Sequence, residues 1–511
     1  MNNYLPRDQE QREAIVNSEK SAVVYASAGA GKTTLLVKKM SRDAALEHGH
    51  YKYVAMTFTN KAVEQINSKM ISKDPKIIVN TIDGFFENEI VNNFIRHVYP
   101  GLPNFNYSYK PEYVINSYEE GIQQIRDKNI FGEFTSNMAT QGRNFKYEVA
   151  LQILQKSLCA REFLKAKYKK FYLDEYQDSD KSMHKAFMYI MNNLGINMLI
   201  VGDDKQSIYQ WRGGFPENFR ELKKLPDIEE YTLTENFRSV NEIVDLSNSF
   251  SEHLTEEFNT ENNVLFYLND DDKNDRATII QNLINNRILD LEKSILILSK
   301  SNKNIQALQR ELEEIYPKKF KYIPRNEMKD CTNALLMEQI AKYYFNQEYN
   351  ENMVLDGLRL NQSREFKREL KKNLDILRDK CSEGSIENVF RLLNVPVDSV
   401  GGIFETEILL KILSDSNNRD AYTDLESDKN YIMTVFTAKG LEFDQVVIDA
   451  ECCLDKYPDS LKFENNYVSI TRAKSKLVII DKFGKYKQLS EEKINENNDI
   501  MFDDIFNLIS I

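Results

Sequence analysis

The chain has 511 residues, 41% of them hydrophobic and 29% charged, and carries a formal net charge of −12. That length exceeds one hydrophobic core, and so acidic a balance excludes a protein that coats nucleic acid by bulk electrostatics. It leaves room for a local basic groove, which only motifs can reveal.

Met1–Lys20 is polar and lacks a positive-then-apolar signal pattern, and no run reaches the ~18 apolar residues of a membrane span. Cys159, Cys331, Cys381, Cys452 and Cys453 show no C-x-x-C spacing, and the five histidines are scattered. Reduced thiols, no zinc site, no membrane and a cytoplasmic location are expected.

In chain order, the β-branched run 21–26 predicts a buried strand, and Leu36, Met40 and Ala44 predict a helix from Lys32. Between them lies Ala26-Ser27-Ala28-Gly29-Ala30-Gly31-Lys32-Thr33-Thr34, a glycine-bearing loop in the strand–turn–helix context of a phosphate site. Gly29 and Gly31 let backbone N–H groups face an anion, and the helix N-terminus adds about half a positive charge. Lys32 would reach the β- and γ-phosphates and Thr33 would ligate Mg²⁺. Strands near 53–58 and 76–81 follow, then an insertion at 88–168 rich in helical periodicity, then a strand near 169–174. That strand ends in Asp174-Glu175: the first would hold Mg²⁺ through water, the second would orient or deprotonate the attacking water. Further strands are expected near 196–201, 294–299, 431–435, 445–450 and 476–480. Strands alternating with helices predict α/β architecture, with parallel sheets covered on both faces.

Val201 to Gly213, "VGDDKQSIYQWRG", resembles the third motif of UvrD/Rep-type superfamily 1 DNA helicases. Six other segments are similar to that family's motifs: Gln11–Ile15, Ala26–Thr33, Thr57–Ala62, Leu233–Arg238, Thr434–Phe443 and Tyr467–Lys474. The family's phosphate loop begins with alanine, which accounts for Ala26. A narrower resemblance, on Thr81–Ile90 and Phe171–Ile190, is to the helicase-like B subunits of Gabija anti-phage systems of bacteria.

The resemblance implies two RecA-like motor lobes, each with a mainly helical insertion. The first lobe would use 1–87 and 169–240, with 88–168 inserted; the second would use 241–325 and 426–511, with a reduced accessory insertion at 326–425. It implies ATP, with other nucleoside triphosphates open, and Mg²⁺ as cofactors, the nucleotide sitting between the lobes. Gln11 would hydrogen-bond the base and Phe237 stack on it; Gly440 and Glu442 would meet the nucleotide, Glu442 at the ribose. Gln206 would touch the γ-phosphate and the attacking water, and Arg238 and Arg472 would close on the γ-phosphate from the second lobe. DNA, single-stranded or duplex ends, would stack on Phe58, Tyr209 and Trp211 and rest its phosphates on Thr57, Thr81 and Lys439. The Gabija resemblance implies a nuclease partner with ABC-type ATPase and Toprim domains, the A subunit, in a hetero-oligomer.

Departures from the family pattern bear on DNA grip. Asp83 and Phe436 stand where the family carries histidine, and Thr34 where it often carries arginine. Three readings stay open: a 3′-to-5′ translocase or helicase, a DNA-stimulated hydrolase within a defence complex, and an ATP-gated clamp that does not hydrolyse. The intact Glu175, Gln206, Arg238 and Arg472 argue against the clamp; Asp83 and the short accessory insertion favour the hydrolase.

Overall fold

The computed structural model describes residues 7–71, 74–102, 108–210, 213–252, 254, 262–269, 275–322, 328, 331, 333–358, 360, 363–415, 418–423, 429–455, 460–496, 498 and 505–510. Trp211 therefore lies outside the described residues. The chain divides into two compact units, Met1–Ser239 and Val240–Ile511.

In the first unit, β1 (Ala22–Ala26), β2 (Lys52–Thr57) and β3 (Ile77–Thr81) precede the insertion. β4 (Ser108–Ile115) and β5 (Ile130–Phe134) lie inside it, and β6 (Tyr168–Leu173), β7 (Asn197–Gly202) and β8 (Glu229–Leu233) follow. Six of them form one parallel sheet in the order β3-β2-β6-β7-β1-β8. Alternation along each strand builds two apolar layers, as period-2 side chains must. Ala22, Val24, Tyr53, Ala55, Tyr172, Leu199 and Val201 pack on one face with Leu36 and Met40. Val23, Val54, Met56, Phe171, Leu173, Met198 and Ile200 pack on the other.

That second layer runs without a break into the insertion, through Phe86, Ile90, Phe94, Phe131, Phe145 and Ile153, and into Phe187 and Ile190. Phe86 sits edge-on to both Tyr147 and Phe187, at centroid distances of 5.0 and 5.1 Å. The insertion is not wholly helical: β4 and β5 form a separate parallel pair.

The second unit holds β9 (Val264–Asn269), β10 (Ile295–Leu298), β11 (Phe320–Tyr322), β12 (Asn430–Met433), β13 (Phe443–Asp449), β14 (Ala473–Lys482) and β15 (Asn507–Leu508). They form a parallel sheet in the order β11-β12-β10-β13-β14-β9-β15. Strands β10, β12, β13 and β14 fall near their expected positions; β9, β11 and β15 extend the sheet beyond them. Helices between Ala334 and Ser414 bury their own cluster, in which Leu370, Leu374 and Leu377 line the inner face of Arg364–Asp379. The fold is thus α/β with one large parallel sheet in each unit, as expected of paired RecA-like lobes. Among the described residues no helix is long and apolar enough to cross a membrane.

Candidate functional site

Because β6, β7 and β1 are adjacent and parallel, their carboxyl ends open on the same edge, where doubly wound sheets bind ligands. Ala26 ends β1, Asp174 follows β6, and Asp203 follows β7. The chain leaves β1 through Gly29 and Gly31, at φ 76° and 75°, a left-handed backbone that glycine adopts without strain. Gly31 is also the N-cap of the helix Lys32–Leu46. This places the loop amides and a positive helix end together, an anion cradle.

Gly29 is demanded by space as well as by φ. An added Cβ would stand 2.5 Å from Asn236 Oδ1. Asn236 Nδ2 donates to the Ala28 carbonyl at 2.8 Å, Phe237 N donates to the Gly29 carbonyl at 3.0 Å, and Asn236 Oδ1 accepts from Arg238 N and Ser239 N. The phosphate loop is thereby pinned to the segment after β8. Phe237, 54% exposed, has the Arg12 guanidinium 4.9 Å over its ring. Arg12 is itself fixed by Asp8, at 2.5 and 3.0 Å, and by the Ala30 carbonyl. Asp8 also accepts from Thr234 N and Glu235 N. Gln11 lies beside this group, its Oε1 accepting from Thr232 N of β8 at 2.7 Å.

On the phosphate side, Lys32 Nζ donates to the Ala26 carbonyl at 3.1 Å and lies 3.9 Å from Asp203 Oδ2. Thr33 Oγ1 donates to Asp174 Oδ2 at 3.3 Å, so the two expected Mg²⁺ ligands meet. Burial, and after it the charge of neighbouring Glu175, push the Asp174 carboxyl up to about 6, against the pull of Lys32. Two hard oxygens beside an ammonium and an amide-lined loop suit a Mg²⁺-bound triphosphate. Thr34 accepts from Lys69 Nζ at 3.3 Å, away from this pair.

Glu175 sits at φ 57°, ψ 35°, a left-handed conformation that costs a non-glycine residue ~1–2 kcal/mol. The turn keeps both carboxylates at the strand end: Glu175 N donates to Asp174 Oδ1 at 3.0 Å. Gln206, buried, donates from Nε2 to Asp203 Oδ2 at 2.6 Å. Three residues of the site go unnoticed in the sequence alone. Asp203 joins Lys32 to Gln206, Asn236 holds the loop, and Gln177, fully buried, donates to Glu175 Oε2 at 2.5 Å. Gln177 and Asn236 stand within the segments "DEYQD" and "LTENFR", but the groups they tie together lie far along the chain.

Other expected residues fall differently. Arg238 belongs to the first unit, not the second, because the division follows Ser239. Arg472 lies in the second unit, 1% exposed, donating to the carbonyls of Val468 and Leu441 and to Thr471 Oγ1. Its guanidinium thus joins the Thr434–Phe443 motif to its own. Gly440, at φ 84° with open space where a Cβ would go, and Glu442, ion-paired with Lys474 at 3.1 Å, belong to the same unit. Lys439, half-buried, precedes them.

Thr57 is 1% exposed and its Oγ1 has no hydrogen-bond partner, so the DNA-phosphate contact expected of it is not available in this conformation. Thr81 Oγ1 accepts from Gly84 N as the cap of a short helix. Phe58 packs half-buried against the first unit's core, and Tyr209 is half-buried. Asp83, expected to oppose DNA, is met by Lys146 Nζ at 3.1 Å and Tyr147 OH at 2.9 Å. Desolvation works to raise its pKa, but the Lys146 charge and these bonds outweigh it and hold the carboxyl below the usual range.

Residues 7–141 and 146–227 match the family model of the UvrD/REP helicase N-terminal domain, and residues 336–482 that of the UvrD-like helicase C-terminal domain. The Gabija protein GajB of Bacillus cereus (strain VD045) is 34% identical over 95% of this chain and 98% of its own length. The ATP-dependent DNA helicase Rep of Buchnera aphidicola subsp. Acyrthosiphon pisum (strain APS) is 26% identical over 47% of this chain and 44% of its own. The ATP-dependent DNA helicase PcrA of Staphylococcus epidermidis (strain ATCC 12228 / FDA PCI 1200) is 21% identical over 48% and 40% respectively. The chain therefore spans almost all of the Gabija relative but less than half of these two helicases. With its phosphate loop, paired carboxylates and family matches in one sequence, the chain belongs to the UvrD-like helicases, a family of ATP-hydrolysing enzymes.

Proposed function

We propose that this chain is a DNA-stimulated nucleoside triphosphatase acting in a Gabija-type anti-phage complex, beside a nuclease subunit with ABC-type ATPase and Toprim domains. The observation that carries the reading is its end-to-end correspondence with a Gabija protein, together with an intact hydrolytic set in the first unit. Single strands or DNA ends are the proposed signal.

The residues divide the work as follows. The loop amides and Lys32 bind the phosphates, and Phe237, backed by Arg12, takes the base on its exposed face. Thr33 and Asp174 would hold Mg²⁺, which when bound neutralises charge on the β- and γ-phosphates. Glu175 accepts the proton of the attacking water, and Gln206 orients that water. Arg238 and Arg472 stabilise charge on the transferred group, a role worth ~10³–10⁵ in rate. DNA contacts through Phe58, Tyr209, Trp211, Thr81 and Lys439 are sequence-independent stacking and phosphate contacts. The location is the bacterial cytoplasm.

Steady-state hydrolysis of ATP by the purified chain, alone, with single strands and with blunt or nicked duplex, tests this reading. Stimulation by ends without strand displacement supports it; displacement of a strand supports a 3′-to-5′ translocase instead. One observation favours that second reading: Asp83 is neutralised by Lys146, which removes an objection to DNA passing there. Glu175→Gln should bind nucleotide yet turn over at least ~10²-fold more slowly. Near-normal turnover would remove Glu175 from its role.

A further inference from the structure

Gln177 stands two residues beyond Glu175, fully buried, and its amide makes two directed bonds at once. Nε2 donates to Glu175 Oε2 at 2.5 Å, and Oε1 accepts from Asp203 N at 3.0 Å. Its backbone carbonyl also accepts from Ser207 Oγ at 3.2 Å. Gly202 is shaped around it, for a Cβ there would stand 2.7 Å from Gln177 Oε1. The same Asp203 carries the carboxylate that accepts from Gln206 and lies near Lys32.

We propose that Gln177 is a positioning residue that sets the Glu175 carboxylate against the loop bearing Gln206. This rests on the hydrolytic reading of Glu175 above. Glu175 occupies a left-handed backbone just past the end of β6, and a general base works only when its carboxylate is held in one direction. A glutamine amide meets that need. It donates to the carboxylate without adding a charge, and it accepts from the backbone N–H of the residue that anchors Gln206. The carboxylate and the water-orienting amide are thereby referred to a common point, Asp203. Methionine would fill the same space and make neither bond; asparagine would keep the amide on too short a stem to span both partners.

A double-mutant cycle on the full chain tests this, with Gln177→Met, Glu175→Gln and the pair, reading kcat, KM and binding of a fluorescent non-hydrolysable ATP analogue. Gln177→Met should lower kcat about 10²-fold, the cost of a misplaced reacting group, while KM and analogue affinity hold. The pair should be no slower than Glu175→Gln alone, because Gln177 acts through that carboxylate. A pair whose loss is the product of the two single losses, or a fall in analogue affinity matching the fall in kcat, overturns the proposal. Should the methionine variant fail to fold, Gln177→Asn is expected to show the same kcat loss, and wild-type kcat there also overturns it. Near-normal turnover by Glu175→Gln is a different failure: it removes the hydrolytic reading itself, and this inference with it.

Discussion

Gly29→Ala tests how the phosphate loop is held. The new Cβ enters at φ 76° and 2.5 Å from Asn236 Oδ1. Left-handed backbone costs alanine ~1–2 kcal/mol. The contact also forces Asn236 out of place, breaking one donated and two accepted hydrogen bonds, each worth ~1 kcal/mol. The sum is ~4–5 kcal/mol for Gly29→Ala and ~3 kcal/mol for Asn236→Ala. Together they should cost only ~4–5 kcal/mol, because removing Asn236 leaves nothing to collide with. Urea unfolding of the four chains, followed by far-ultraviolet circular dichroism, reads these values, and analogue affinity reads the site. Additive losses, near ~7–8 kcal/mol in the double variant, would refute the close approach as the reason for glycine.

Three further outcomes are expected. Lys146→Met removes the ammonium that pairs with the exposed Asp83 carboxylate, so stimulation by single strands should fall, and adding Asp83→Asn should restore it; no restoration would place the effect elsewhere. Lys170, 4% exposed and donating to the Ser18 and Lys20 carbonyls, is pulled down to about 8 by burial and then by Lys39. The folded chain sheds that proton before the unfolded chain does, so stability should rise from about pH 8 toward the ordinary lysine value. Lys170→Met should flatten the rise in urea midpoints, and an unaltered slope would exclude Lys170 as its source. Acidification through about 6 should protonate Asp174 and weaken Mg²⁺-dependent analogue binding, whereas Asp174→Asn should bind weakly at every pH between about 7 and 5; a mutant retaining the wild-type pH profile would contradict that assignment.

The strands that sequence reveals and those it hides differ physically. β1, β2, β6 and β7 are central, apolar on both faces and β-branched or aromatic, so a single run marks each. β8, "EEYTL", is an edge strand with one buried residue, and β4 begins Ser-Tyr-Lys-Pro; neither carries a run to notice. In the site, the groups proposed to meet the nucleotide stand in short motifs and are legible one by one. Their supports are not. Asn236 reaches Ala28, Asp8 reaches Thr234, and Lys146 reaches Asp83, pairings made only when distant segments fold together. Asp83 reads as a hostile charge in sequence because its neutralising partner lies in the insertion. Thr57 reads as a DNA-phosphate contact through its family motif, yet the strand end buries it.

The continuous apolar layer of the first unit separates the two insertions by how they would answer excision. Cutting out 88–168 removes Phe94, Phe131, Phe145 and Ile153 from the layer that Phe171, Phe187 and Ile190 share, so the remaining sheet would lose much of its lining and aggregate. Helices between Ala334 and Ser414 gather around Met337, Ile340, Leu370, Val389 and Phe390, all drawn from Met328–Tyr422. Trimming that segment, with a short linker in its place, spares the apolar cluster beneath β10 and β13, which draws on none of those residues. A miniaturised enzyme is therefore to be sought by shortening the later insertion, and the earlier one travels with the phosphate site as a single folding unit.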